Sequence, residues 1–300
     1  MTLACTKKEQ RGFTLIEMLA AMGIFLLVTG AAFTLLTSSQ QRYQTDSQVL
    51  NSFQEARLGL DQMVRDINDA GFPSVSFTTG APSSCAITPF AWSVDARYSP
   101  VCAWPPAYVP CQIGTGGGGN CTTASGDMAP GDFDIIIETE PNPLDTSCYP
   151  NCTVQWIRYQ LAGPTGTTLM RAMAPKGWNG SDPDAAFTLQ FAPAPFVENV
   201  VNNCANLSTS SLCQLVAANP AVANPVPIFQ YTCDHPATPQ FPLPPAVPCT
   251  SPGAGADNSP ANIRDVNITL IVAAPLPDAT TGQPRLVQLA GRGRRINPNQ

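Results

Sequence analysis

Residues 11–36 read RGFTLIEMLAAMGIFLLVTGAAFTLL. After Arg11-Gly12, the 24 residues from Phe13 to Leu36 are apolar or small except for one charge, Glu17. At 1.5 Å per residue they form a helix of roughly 36 Å, longer than the ~30 Å hydrocarbon core of a bilayer. The segment therefore reads as a membrane span. The stretch before it, MTLACTKKEQRG, sets Lys7, Lys8 and Arg11 against Glu9, and this positive excess is expected to hold that end in the cytoplasm. Everything after residue 36 is then exported.

Two details separate the segment from an ordinary secretory signal, which is cut at small residues after its apolar region. Here the small residue Gly12 comes before the apolar run, and the run's far end, Leu35-Leu36-Thr37-Ser38-Ser39-Gln40, offers only a poor site. Cleavage between Gly12 and Phe13 would leave the helix on the mature chain. The second detail is Glu17, because a charge near the start of a span costs about 2.5 kcal/mol or more unless it snorkels or is paired. Cleavage after Gly12 would create an amine on Phe13, one helical turn away at i and i+4. The amine of a neighbouring copy would serve equally well.

The run Arg11-Gly12-Phe13-Thr14-Leu15-Ile16-Glu17-Met18-Leu19 resembles the cleavage and methylation motif of type IV prepilins and type II secretion pseudopilins. The resemblance implies that a prepilin peptidase/methyltransferase cuts after Gly12 and N-methylates Phe13. It also implies that Glu17 pairs with the Phe13 amine of an adjacent pilin or pseudopilin. The expected localisation is the bacterial inner membrane, single-pass with the C-terminal domain in the periplasm, then the pilus at the cell surface.

Helical periodicity continues past the span. Tyr43, Leu50, Phe53, Leu60, Val64 and Ile67 recur at steps of three, four or seven, with Gln41, Asp46, Gln54, Arg57, Asp61 and Arg65 on the other faces. Gly71-Phe72-Pro73 supplies a stop. One helix from Phe13 to Ala70, roughly 87 Å long, is predicted, with Gly23 and Gly30 as weak points. Strand patterns follow at 132–137, 154–161, 167–171, 263–272 and 286–289, with shorter candidates at 187–191, 196–201 and 227–231. Residues 74–130 and 204–260 are rich in Pro, Cys and small residues and read as stapled insertions.

This order predicts an α+β fold in which a long N-terminal helix packs on an antiparallel β-sheet domain. Four segments are expected: a cleaved leader (1–12), the membrane part of the helix (13–36), its amphipathic continuation (37–71) and an exported β-rich domain (72–300). The pattern also resembles the minor pilin PilW and pseudopilin J group. That resemblance is carried by residues 65–72, Ile157-Arg158-Tyr159, Leu169-Met170-Arg171, Val197-Glu198-Asn199-Val200 and Val266-Asn267-Ile268-Thr269-Leu270. It implies a minor subunit involved in pilus assembly, and the large exported domain suggests a place at or near the filament tip, where no further subunit must stack above it. A type II secretion pseudopilin is the alternative within the class. A membrane-anchored adhesive protein, binding through Trp92, Tyr98, Trp104 and Tyr108, is the alternative outside it.

Of 11 cysteines, Cys5 lies in the leader. Cys85, Cys102, Cys111, Cys121, Cys148, Cys152, Cys204, Cys213, Cys233 and Cys249 lie beyond the span, an even set suited to disulfides in an oxidising compartment. Local pairs such as Cys148 with Cys152, Cys204 with Cys213 and Cys233 with Cys249 are plausible. No Cys-x-x-Cys occurs and His235 is the only histidine, which argues against a zinc site and a Ser-His-Asp triad. No P-loop, G-x-S-x-G, G-x-G-x-x-G or H-E-x-x-H occurs either. No enzyme, cofactor or metal is expected. Asp132 with Asp134 and Glu138 with Glu140 read as solvent-facing strand acids, and Arg292, Arg294 and Arg295 as a solvated basic tail. Loss of the leader takes the net charge from −6 to −8, which disfavours direct nucleic-acid binding.

Overall fold

The computed structural model describes residues 13–71, 89–91, 113, 121, 129–139, 155–161, 166–175, 186–187, 191–207, 209–233, 247–249, 260–278 and 281–295. Its fold is α+β, as the sequence predicts.

Helix α1 spans Leu15–Asn68 without a break at Gly23 or Gly30. It starts two residues later than the periodicity suggests because Thr14 has extended backbone geometry and caps it. At the other end the Asp69 N–H reaches the Arg65 carbonyl at 3.1 Å. Gly71, at φ +81°, then turns the chain and donates to the Glu138 carbonyl at 2.8 Å.

Two antiparallel sheets complete the domain. The first contains β1 (Phe90–Ala91), β2 (Asp134–Thr139), β3 (Gln155–Leu161), β4 (Leu169–Pro175) and β5 (Ala194–Val197), in sequence order. The second is formed by β6 (Phe229–Cys233), β7 (Val247–Pro248), β8 (Ile263–Pro277) and β9 (Pro284–Arg294), in the order β7-β6-β8-β9. The chain crosses between them after β5, where Val200 pairs with Val272 of β8 and the Val201 N–H reaches the Ile271 carbonyl at 2.9 Å. Buried Asn202 completes the join: its amide donates to the Thr269 and Val226 carbonyls at 2.8 and 3.1 Å and accepts from the Ile271 N–H at 2.7 Å.

The main core lies between the distal part of α1 and both sheets, with Met63 and Ile67 meeting Ile135, Ile137, Ile157, Val266 and Leu270. Each fully buried aliphatic side chain contributes about 1.5–3 kcal/mol. Small residues let the helix approach. A Cβ at Gly59 would lie 2.5 Å from Val197 Cγ2, and one at Gly293 would lie 2.4 Å from Ile67 Cγ2. The back of the first sheet buries Ile136 and Trp156 against Phe187 and Ala129. The back of the second is partly covered by helix α2 (Ser211–Val216) and its flanks, stapled by Cys204–Cys213.

Several local expectations need correction. Tyr43 and Leu50 are 76 % and 59 % exposed, so the helix face that meets the domain is not the one predicted for its middle part. The docking face instead runs through Thr45, Ala56, Gly59, Leu60, Met63 and Ile67; small residues carry no periodic apolar signal, so pattern reading passes over them. Phe187 and Phe191 lie outside the strands: Phe187 is helical, and the Phe191 N–H reaches the Ala186 carbonyl at 3.1 Å. Asp134 and Glu138 are buried, not solvent-facing, because the back of the first sheet is covered. Arg158 donates twice to Asp134 at 2.5 and 3.0 Å, and the Trp156 indole donates to Glu138 at 3.1 Å. Arg292 and Arg294 belong to β9, and Arg295 is buried just after it, so this run is no tail.

Candidate assembly site

Before Thr45, no residue of α1 is buried. The apolar side chains stand open on all sides, with Phe13 at 87 %, Leu15 at 79 % and Phe25 at 68 % exposure. A helix that is apolar all round matches lipid or a sheath of other helices, and water is its least favourable surrounding. Its hydroxyls suit such a medium. Thr29, Thr34 and Thr37 donate to the carbonyls of Phe25, Gly30 and Phe33, four residues back, at 2.7, 2.7 and 2.9 Å.

The start of this stem is a capping box. Thr14 N–H and Thr14 Oγ1 donate to Glu17 Oε2 at 2.9 and 2.8 Å, while the Glu17 N–H reaches Thr14 Oγ1 at 3.4 Å. Sequence reading missed the cap, although a Thr three residues before a Glu ahead of an apolar run is its signature. The charge on Glu17 is thus already partly satisfied within its own chain, next to the first-turn amides that favour an anion. Phe13 lies just outside the helix, so an amine on it would approach Glu17 from beyond the cap, not across a full helical turn. Both cap bonds fall on Oε2, which leaves Oε1 outside the cap. Gly12, on the other side of the expected cut, lies outside the described residues.

The remaining candidates separate into bridges and buried structural charges. Cys204–Cys213 and Cys233–Cys249 are disulfides with Cα atoms 4.9 and 5.1 Å apart, and Cys121 is also disulfide-bonded. Cys85, Cys102, Cys111, Cys148 and Cys152 lie outside the described residues, as do Trp92, Tyr98, Trp104, Tyr108, Glu140 and His235. Among the described residues, no three His, Cys, Asp or Glu side chains stand together as a metal would require. An open cleft of about 820 Å³ lies between the sheets, with Phe133, Phe229 and Tyr231 in its walls. Asp132 and Asp134 also line it. Asp134 is engaged by Arg158, while burial raises the Asp132 carboxyl.

Sequence reading also missed a polar cluster where the helix meets the first sheet. Asp66 of α1 accepts from the Tyr159 hydroxyl, Arg171 and Gln62 at 2.5, 3.0 and 2.8 Å, and Arg171 Nε donates to the Tyr159 oxygen at 2.9 Å. Asp66, Tyr159 and Arg171 come from three of the segments that carry the resemblance above. Their part here is to fix the helix on the sheet.

A family model described as the prokaryotic N-terminal methylation motif matches residues 7–33. No curated protein and no solved structure matches the chain. The match covers the capped, solvent-open stem and supports a type IV pilin-like protein anchored by this helix.

Proposed function

We propose that this chain is a minor pilin, a structural subunit that enters a type IV pilus through its N-terminal helix. The supporting observation is the division of one 54-residue helix: its distal part is buried on the domain, while its proximal part is apolar and bare under a Thr14–Glu17 cap. Such a stem is stable in the inner membrane before assembly and among other helices afterwards. A prepilin peptidase/methyltransferase removes the leader after Gly12 and methylates Phe13. Oε1 of Glu17 then receives the amine of an adjacent subunit. The subunit sits at or near the tip, where a domain of this size meets no further subunit stacked above it, and it performs no catalysis.

The test is N-terminal mass spectrometry of protein recovered from membranes and from sheared filaments. N-methyl-phenylalanine at Phe13 in both is the expected result. A mature chain still starting at Met1, or absence of the protein from filaments, overturns the proposal. Uniform cross-linking along the shaft would overturn the tip placement alone.

A further inference from the structure

The arginine run at the end of β9 is the charged feature that the filament reading leaves unused. Gly291 and Gly293 face α1 so closely that a Cβ would lie 2.8 Å from Leu60 Cδ1 and 2.4 Å from Ile67 Cγ2. Alternation along the strand therefore sends Arg292 and Arg294 to the opposite face, where they are 56 % and 59 % exposed. Beneath them lies Asp265 of β8, fully buried, paired in register with Arg294. Asp265 Oδ2 accepts from Arg292 at 2.8 Å, Thr232 at 3.2 Å and Arg264 at 3.3 Å. Burial alone would raise this carboxyl, but the bonds from Arg292, Arg264 and Thr232 and the Arg292 charge outweigh it and hold the group below the usual carboxylate range.

One buried carboxylate thus positions two exposed guanidinium groups without consuming them. Arg292 uses a single nitrogen on Asp265, and Arg294 Nε stands 3.9 Å from Oδ1, beyond hydrogen-bond distance. Among the described residues the Arg294 side chain donates no hydrogen bond. The two arginines leave one strand face from backbone positions two residues and so roughly 6.8 Å apart.

We propose that this face docks an extended acidic polypeptide segment of a partner protein, with carboxylates at alternate positions meeting Arg292 and Arg294. The period is the argument for an extended peptide, since residues two apart on a strand repeat at the same ~6.8 Å and each carboxylate can take a guanidinium fork. Membrane headgroups are out of reach. The Arg294 N–H is tied to Asn68 Oδ1 at 2.8 Å, and the helix from Leu36 to Asn68 rises roughly 48 Å, several times the ~8 Å screening length. A long polyanion is disfavoured because it would run off this small patch onto a chain of net charge −6. The inference stands on the domain alone and survives failure of the filament reading.

The test uses full-length protein in detergent micelles and a fluorescent peptide with glutamates alternating with threonines, read by anisotropy. The expected result is salt-sensitive binding, weakened about three-fold by Arg294→Gln and about ten-fold by adding Arg292→Gln. Arg294→Gln keeps the test clean if the double variant misfolds, because among the described residues that side chain donates no hydrogen bond and its Nε only stands 3.9 Å from Asp265. Unchanged binding in Arg294→Gln, equal binding of the lysine-for-glutamate peptide, or no binding overturns the proposal. A single-stranded oligonucleotide that binds more tightly and loses affinity in Arg294→Gln would also overturn it, in favour of a polyanion.

Discussion

The Tyr159 hydroxyl donates to Asp66 Oδ2 at 2.5 Å, joining the last turns of α1 to the centre of the first sheet across 93 residues of sequence. Arg171 bonds both groups and lies over the Tyr159 ring at 5.6 Å, so three polar side chains complete one another inside an apolar contact. Removing one partner strands the others. Tyr159→Phe should cost about 1.5–3 kcal/mol, the range for a hydrogen bond to a charged group. Asp66→Ala should cost more, because it leaves a partly buried guanidinium without its carboxylate. Thermal unfolding in detergent measures both, and a loss in Tyr159→Phe too small to resolve would deny the cluster a role in docking.

The glycines of the docking face make a second prediction through contrast. Gly293→Ala forces a Cβ to 2.4 Å from Ile67 and should destabilise the domain by about 1–3 kcal/mol through overpacking. Gly23→Ala, with nothing within 4 Å, should leave domain unfolding unchanged and favour the helix by up to about 1 kcal/mol. Equal effects at the two sites would contradict close helix–sheet contact.

Alkaline pH should find the weak point of the core. Burial first, then the Asp66 charge and its hydrogen bond, push the Tyr159 phenol above its ordinary value; burial, then Asp134 and Asp132, do the same for Tyr231. In the unfolded chain both phenols ionise near pH ~10, whereas the folded chain keeps them protonated. Their contribution is therefore fully present below about pH 10 and is lost as pH rises toward the folded values. The expected slope is about 1.4 kcal/mol per pH unit for each tyrosine above that point. Tyr231→Phe should roughly halve it; an identical slope in the variant would show that other groups set the alkaline limit.

What the sequence made legible follows from how each feature is encoded. The stem, its lone acid and the later strands are written in local order and period, and they are visible without a partner. Cys204–Cys213 and Cys233–Cys249 were readable because the bonded cysteines are near neighbours in sequence. Asp66, Asp134 and Glu138 were not readable in their structural parts, since burial of a charge depends on Tyr159, Arg158 and Trp156 arriving from other strands. The basic run at the end of β9 reads as a tail from its charge alone, whereas Gly291 and Gly293 beside those arginines mark where the helix comes closest.

The Thr14–Glu17 cap yields the last prediction, since it sets capping by this carboxylate apart from its proposed pairing between subunits. Thr14→Ala removes the Oγ1 bonds at 2.8 and 3.4 Å and should weaken the first turn by about 1 kcal/mol. Glu17 would still be present to meet a neighbour's amine, so assembly should be reduced yet retained. Glu17→Ala removes both the cap partner and that contact, and should abolish filament entry while membrane insertion and domain unfolding stay unchanged. Glu17→Gln separates charge from capping: the amide oxygen can still accept from Thr14, but it offers a cationic amine no opposite charge. Counting subunits in sheared filaments against those left in the membrane ranks the three variants. If Glu17→Gln assembled as well as Thr14→Ala, capping geometry would account for the acid, and charge pairing between subunits would have to be abandoned.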